Sequence, residues 1–137
     1  MLTTSTAKIL YIDDDSDDCF FLSESLSDSG MLLELQCATD GEDAIQQLNR
    51  MNDDELPGLI ILDMNMPKWD GRQTLRYLKE TKRYAQIPVI ILSTSENRVD
   101  QEICRQLGAV SYLKKPFHFD GYKQIIHKFL PFLPHAV

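Results

Sequence analysis

The chain has 137 residues, 43% of them hydrophobic and 26% charged, with a net charge of −7. Such a length holds one domain with a real core, and so ordinary a composition excludes a disordered or low-complexity chain. The negative balance excludes a sequence-independent nucleic-acid or membrane-surface binder, which depends on clustered Lys and Arg; no stretch approaches the about 18 apolar residues of a membrane span, and the N-terminal MLTTSTAK lacks the apolar core of a secretory signal, so a cytoplasmic protein is expected.

The first apolar run, Lys8 to Ile12, ends in Asp13-Asp14 and leads into a helix predicted from Ser16 to about Ser27, with Cys19, Leu22 and Leu26 on one stripe. Leu33 to Ala38 is the second run, followed by Ala44, Ile45, Leu48 and Met51 at helical spacing. The third and fourth runs, Leu59 to Asp63 (LIILD) and Val89 to Ser93 (VIILS), are continuous and β-branched, as central parallel strands covered on both faces are. Leu75 and Leu78 mark the helix between them, and Val99, Ile103 and Leu107 the one after. Ser111 to Leu113 is the fifth run, and Tyr122, Ile125, Ile126 and Phe129 form the last helical stripe. Gly30, Gly41, Pro57-Gly58, Pro67, Gly71, Pro88, Gly108, Pro116 and Gly121 punctuate the joins. Strands alternating with helices predict a (βα)5 domain with a parallel sheet. One domain is expected over residues 1–137, its core about residues 8–130, with no output domain after PFLPHAV.

In an open parallel sheet the functional crevice lies beyond the carboxyl ends of the strands, and here those ends are polar. The first run ends in Asp13-Asp14, the third in Asp63, the fourth in Ser93-Thr94, and the fifth leads into Lys114-Lys115-Pro116. Carboxylates gathered there repel one another, and a hard divalent cation relieves that repulsion. Mg2+ suits an incompletely filled cluster, because it takes one or two carboxylates and keeps waters and phosphate oxygens. With the cation in place a carboxylate can attack phosphorus, Lys115 supplying a point charge and Ser93 a hydrogen bond to the oxygens gained.

Other polar residues have simpler explanations. Positions 13–18 hold five Asp in six residues, and Asp17 and Asp18 are assigned to the helix N-terminus, where acids favour the macrodipole. An EF-hand fails, because the glycine at its sharp turn and its distal glutamate are missing. Cys19, Cys37 and Cys104 lack metal-ligand spacing and are expected to be reduced core thiols. His118, His127 and His135 receive no role, and Lys79, Lys82 and Arg83 are taken as a solvated helix end.

The segments KILYIDDD, LIILDMNMPKWDG, PVIILST and GAVSYLKKPF, in that order, resemble the receiver domains of two-component response regulators from about Lys8 to Leu130. The resemblance implies a flavodoxin-like, doubly wound fold with strand order 2-1-3-4-5 and phosphorylation by a histidine kinase or a histidine phosphotransfer protein. It implies that Asp63 is the phosphoacceptor, that Asp14 and Asp63 bind Mg2+ with the backbone carbonyl of Asn65, and that Asp13 acts through metal-bound water. Lys115 would pair with the phosphoryl group, commonly with a cis peptide to Pro116, while Ser93 and Tyr112 would be the switch pair. Asp15 and Thr94 depart from the common pattern, Asp15 as a start to the helix and Thr94 as a bulkier neighbour of the pocket.

These features predict a signalling protein that modifies only itself, works as a monomer or weak dimer, and either binds a downstream protein or passes the phosphoryl group on. Two rivals differ in chemistry. A phosphohydrolase of the haloacid dehalogenase type fits Asp13-Asp14-Asp15-Ser16 but needs its metal-binding acids after the lysine, whereas Asp63 precedes Lys115. A phosphorylation-independent binding module would lack an acid, the lysine or the hydroxyl, and none is lacking.

Overall fold

The computed structural model describes residues 7–30, 32–66 and 69–133. Pro67, His135 and most of the N-terminal and PFLPHAV segments lie outside the described residues. The order of elements is β1 (Ala7–Ile12), α1 (Ser16–Asp28), β2 (Leu33–Ala38), α2 (Gly41–Arg50), β3 (Leu59–Asp63), α3 (Gly71–Glu80), β4 (Val89–Ser93), α4 (Arg98–Leu107), β5 (Ser111–Lys114) and α5 (Phe119–Phe129). The strands form one parallel sheet in the order β2-β1-β3-β4-β5, as expected.

Strand side chains alternate between faces, and this chain uses both. Ile9, Tyr11, Leu59, Ile61, Ile90 and Leu92 pack under Leu22 and Leu26 of α1 and Tyr122, Ile126 and Phe129 of α5. Leu10, Ile12, Ile60, Leu62, Val89 and Ile91 pack on the other face under Ala44, Leu48, Leu75, Leu78 and Cys104 of α2, α3 and α4. All five residues of β3 and of β4 are buried. Each buried Leu or Ile contributes about 1.5–3 kcal/mol over leaving it in water. This double cover is why those two runs are apolar without a break.

Caps set where helices begin. The Asp15 side chain accepts the Asp17 amide at 2.9 Å, so Asp15 starts α1. Asp70 and Gln73 form a reciprocal capping box that starts α3 directly after the loop carrying Asn65.

The packing corrects three expectations. Val99 is 63% exposed, and Ile103 and Leu107 are only partly buried, because α4 turns Cys104 inward instead, its Sγ 3.5 Å from the Met64 sulfur. Cys19 and Cys37 are not free thiols: α1 lies along β2, so residues 18 apart meet as a disulfide with Cα atoms 6.5 Å apart, and Cys104 alone remains free and buried. Lys79 and Arg83 are not merely solvated. Lys79 donates to the carbonyls of Ala85 and Ile87, and Arg83 to those of Leu48 and Met51, tying the loops after α2 and α3 to these side chains. Among the described residues no helix is long and apolar enough to cross a membrane.

Candidate functional site

The carboxyl ends of β1, β3, β4 and β5 meet at one edge of the sheet. Asp13 follows β1 and Asp63 closes β3, on the same side as the inward residues Tyr11 and Ile61, by the two-residue period. Asp13 is 4% exposed and Asp63 5%, whereas Asp14 is exposed. One oxygen from each of Asp13, Asp14 and Asp63 lies within 4.8 Å of the others. The spacing and the all-oxygen donor set fit a hard divalent cation that keeps part of its water shell.

Burial pushes the Asp63 carboxyl up to about 7, helped by the negative charge of Asp13; Lys115 and the Asn65 amide oppose that rise. Lys115 follows β5, and its backbone amide donates to the Ser93 carbonyl at 2.7 Å. Its ammonium reaches across to Asp13 Oδ2 at 2.7 Å, Asp18 Oδ2 at 2.7 Å and Asp63 Oδ2 at 3.8 Å. Burial alone would lower the lysine, but its hydrogen bonds to Asp13 and Asp18 and the charges around it hold it above the ordinary range. The peptide between Lys115 and Pro116 is trans, not cis as the resemblance implied.

Ser93 is fully buried at the end of β4, and its Oγ accepts the Ser95 amide at 3.1 Å. Tyr112, half-buried on β5, donates its phenol to the Ser95 carbonyl at 3.0 Å. Tyr112, the aromatic member of the expected switch pair, is thus tied to the backbone two residues beyond Ser93. Thr94 is exposed, and Asn65 stands on the loop two residues beyond Asp63, also exposed. A cleft of about 470 Å³ opens beside that loop, lined by Met64, Asn65, Met66, Arg72, Ser95 and Asp100. Ser95 Oγ donates to Asp100, which is paired with Arg72.

Asp18 needs correction. It does not simply serve the helix N-terminus: one oxygen binds Lys115 and the other accepts the Tyr122 phenol at 2.9 Å. Tyr11 likewise donates to Asp13 Oδ2 at 2.5 Å. Burial first, then the neighbouring carboxylate, keeps both phenols far above the usual tyrosine range. A signal for these two was present, since a tyrosine among buried aliphatic residues needs a polar partner for its hydroxyl. His118 precedes α5 without capping it, and His127 is exposed on α5.

Residues 9–127 match the family model described as the response regulator receiver domain. The chain is 36% identical over 110 residues to the response regulator Rcp1 of Synechocystis, covering 78% of this chain and 75% of Rcp1. It is 38% identical over 111 residues to the transcriptional regulatory protein CpxR of Klebsiella pneumoniae, covering 81% of this chain but 44% of CpxR, so it spans less than half of that relative. Among solved structures, the phosphorylated cyanobacterial phytochrome response regulator RcpA superposes with a TM-score of 0.85 at 30% identity, covering 96% of this chain and all of RcpA (100%). The Mn2+-bound form of Rcp1 superposes with a TM-score of 0.79 at 32% identity, covering 90% of this chain and 94% of that one.

Proposed function

The chain belongs to the family of response regulator receiver domains, and on that premise we propose that it takes a phosphoryl group onto Asp63 in a Mg2+-dependent reaction. Receiver domains of this family are signalling proteins of two-component systems, phosphorylated by histidine kinases and read by downstream targets, and are not turnover enzymes. The observation that carries the assignment to Asp63 is its place: a buried carboxylate within a three-acid cluster, 3.8 Å from an ammonium.

In this reading Asp14, Asp63 and the Asn65 carbonyl would hold the cation, and Asp13 would act on it through its bound water. When bound, the cation offsets the carboxylate charge and draws charge from the phosphoryl oxygens. An Asp63 oxygen bonds to phosphorus as the P–N bond of a phosphohistidine breaks. The electron pair returns to the ring nitrogen, and a ring protonated at its other nitrogen leaves as neutral imidazole. Lys115 steadies the oxygens of the transferring group, and Ser93 hydrogen-bonds one of them afterwards. The signal then leaves through the surface of α4 and β5, where Arg98, Gln101, Arg105, Val110 and Tyr112 border a groove of about 440 Å³. The target is a protein partner of a monomer or weak dimer, or a phosphotransfer protein that takes the group back.

Phosphoryl label from a phosphohistidine donor should enter only with Mg2+ present, and Asp63→Asn should abolish it. Undiminished labelling of that variant, or full labelling in excess EDTA, would overturn the assignment.

A further inference from the structure

Lys115 has one positive charge and three carboxylates around it. The two at 2.7 Å are Asp13 and Asp18; Asp63, the acceptor in the reading above, is the most distant at 3.8 Å. Asp13 belongs to the acidic cluster and shares any cation bound there. Asp18 does not. Its carboxylate stands on the α1 side of the ammonium, and its second oxygen is held by the phenol of Tyr122, which is 1% exposed and anchored in the core. The Asp18 side chain is itself 16% exposed and that of Lys115 11%, so water does little to screen the pair. Tyr122 holds Asp18, and Asp18 shares the ammonium with Asp13 at equal distance.

We propose that Asp18 is a positioning residue that holds Lys115 toward α1 and withholds part of its charge from a phosphoryl group on Asp63. This rests on the assignment of Asp63 above. Phosphoryl oxygens on Asp63 must share the ammonium with a carboxylate that Tyr122 does not release. Asp18 thereby weakens the phosphoryl-bound state, a bias set by α1 and α5 and transmitted through Lys115.

The test is the affinity for beryllofluoride in Mg2+, read by the fluorescence of Trp69, which is 37% exposed on the loop after Asp63. Asp18→Asn keeps the shape and can still accept from Tyr122 but gives up the charge. It should bind about 3- to 10-fold tighter, as expected when a charge-assisted hydrogen bond is freed in part. The gain should vanish in a Lys115→Met background, since a coupling carried by the lysine disappears with it. Asp18→Glu should restore affinity to near wild type. Tyr122→Phe, which loosens Asp18 without removing it, should shift affinity the same way by a smaller factor, and it serves if Asp18→Asn does not fold. An unchanged or weaker affinity in Asp18→Asn overturns the proposal, as does an equal gain without Lys115, which would make Asp18 a charge acting through space. If the wild type itself fails to bind beryllofluoride with Mg2+, the assignment of Asp63 falls, and this inference with it.

Discussion

The hydroxyl of Ser93 and the phenol of Tyr112 meet at a single residue: Ser95 gives its amide to the first at 3.1 Å and its carbonyl to the second at 3.0 Å. On the proposed reading, turning Ser93 toward a phosphoryl oxygen on Asp63 would release the Ser95 amide, in the peptide just before the one whose carbonyl Tyr112 holds. Two packings, one with Ser93 bonded to the Ser95 amide and one with it turned to the phosphoryl group, would then exchange populations according to which hydrogen bonds are made.

Ser93→Ala should therefore still accept the phosphoryl group, because the cation and Lys115 already stabilise much of its charge. It should lose most of the gain in partner affinity that phosphorylation brings. A charge-assisted hydrogen bond of about 1.5–3 kcal/mol corresponds to roughly 10- to 150-fold. Labelling and partner binding measured on the same sample decide this, and equal affinity gains in variant and wild type would show that the signal bypasses Ser93.

Asp63 makes stability depend on pH in EDTA. Its folded pKa, about 7, lies above the ordinary 3.8, so the fold favours the protonated carboxyl. That contribution is fully present below about pH 4 and is lost as pH rises through about 7. Melting temperature should fall between pH 5 and pH 8, and Asp63→Asn should flatten the fall. The variant should gain on the order of 1–3 kcal/mol at pH 8, roughly 3–10 °C. Parallel slopes in the two proteins would place the titrating group elsewhere.

Gly71 opens α3 against the back of the loop that follows Asp63. A Cβ there would stand 2.7 Å from the Met64 Cα and 2.8 Å from the Asp63 carbonyl oxygen, both backbone atoms that cannot swing away. Gly71→Ala should cost about 1–3 kcal/mol by denaturant unfolding and slow phosphoryl uptake, since the loop shifts with Asn65 on it. Wild-type stability and labelling rate would show that the loop yields without consequence.

Ser25 presents a contrary case. It is 2% exposed on the inner side of α1, and its hydroxyl finds no hydrogen-bond partner among the described residues. Ser25→Ala removes that cost and improves helix propensity, so it should stabilise by about 0.5–2 kcal/mol. A raised urea midpoint with an unchanged slope is the expected result.

The two central strands were legible in the sequence because a parallel strand covered on both faces must be apolar throughout, and LIILD and VIILS are; the order of strands in the sheet was implied only by the family resemblance. Asp13, Asp63, Ser93 and Lys115 stood out for the same reason, since a polar residue ending such a run needs a partner or a surface. Asp18, Tyr11 and Tyr122 did not stand out as a group. Asp18 and Tyr122 are 104 residues apart and meet only because α1 and α5 lie side by side on one face of the sheet. The same placement of α1 joins Cys19 to Cys37, and the rotation of α4 decides that Cys104 rather than Val99 is buried. Periodicity states that a helix has an inward stripe. Which neighbour that stripe touches is settled by packing between distant segments, and it is this packing that determines which carboxylates share Lys115.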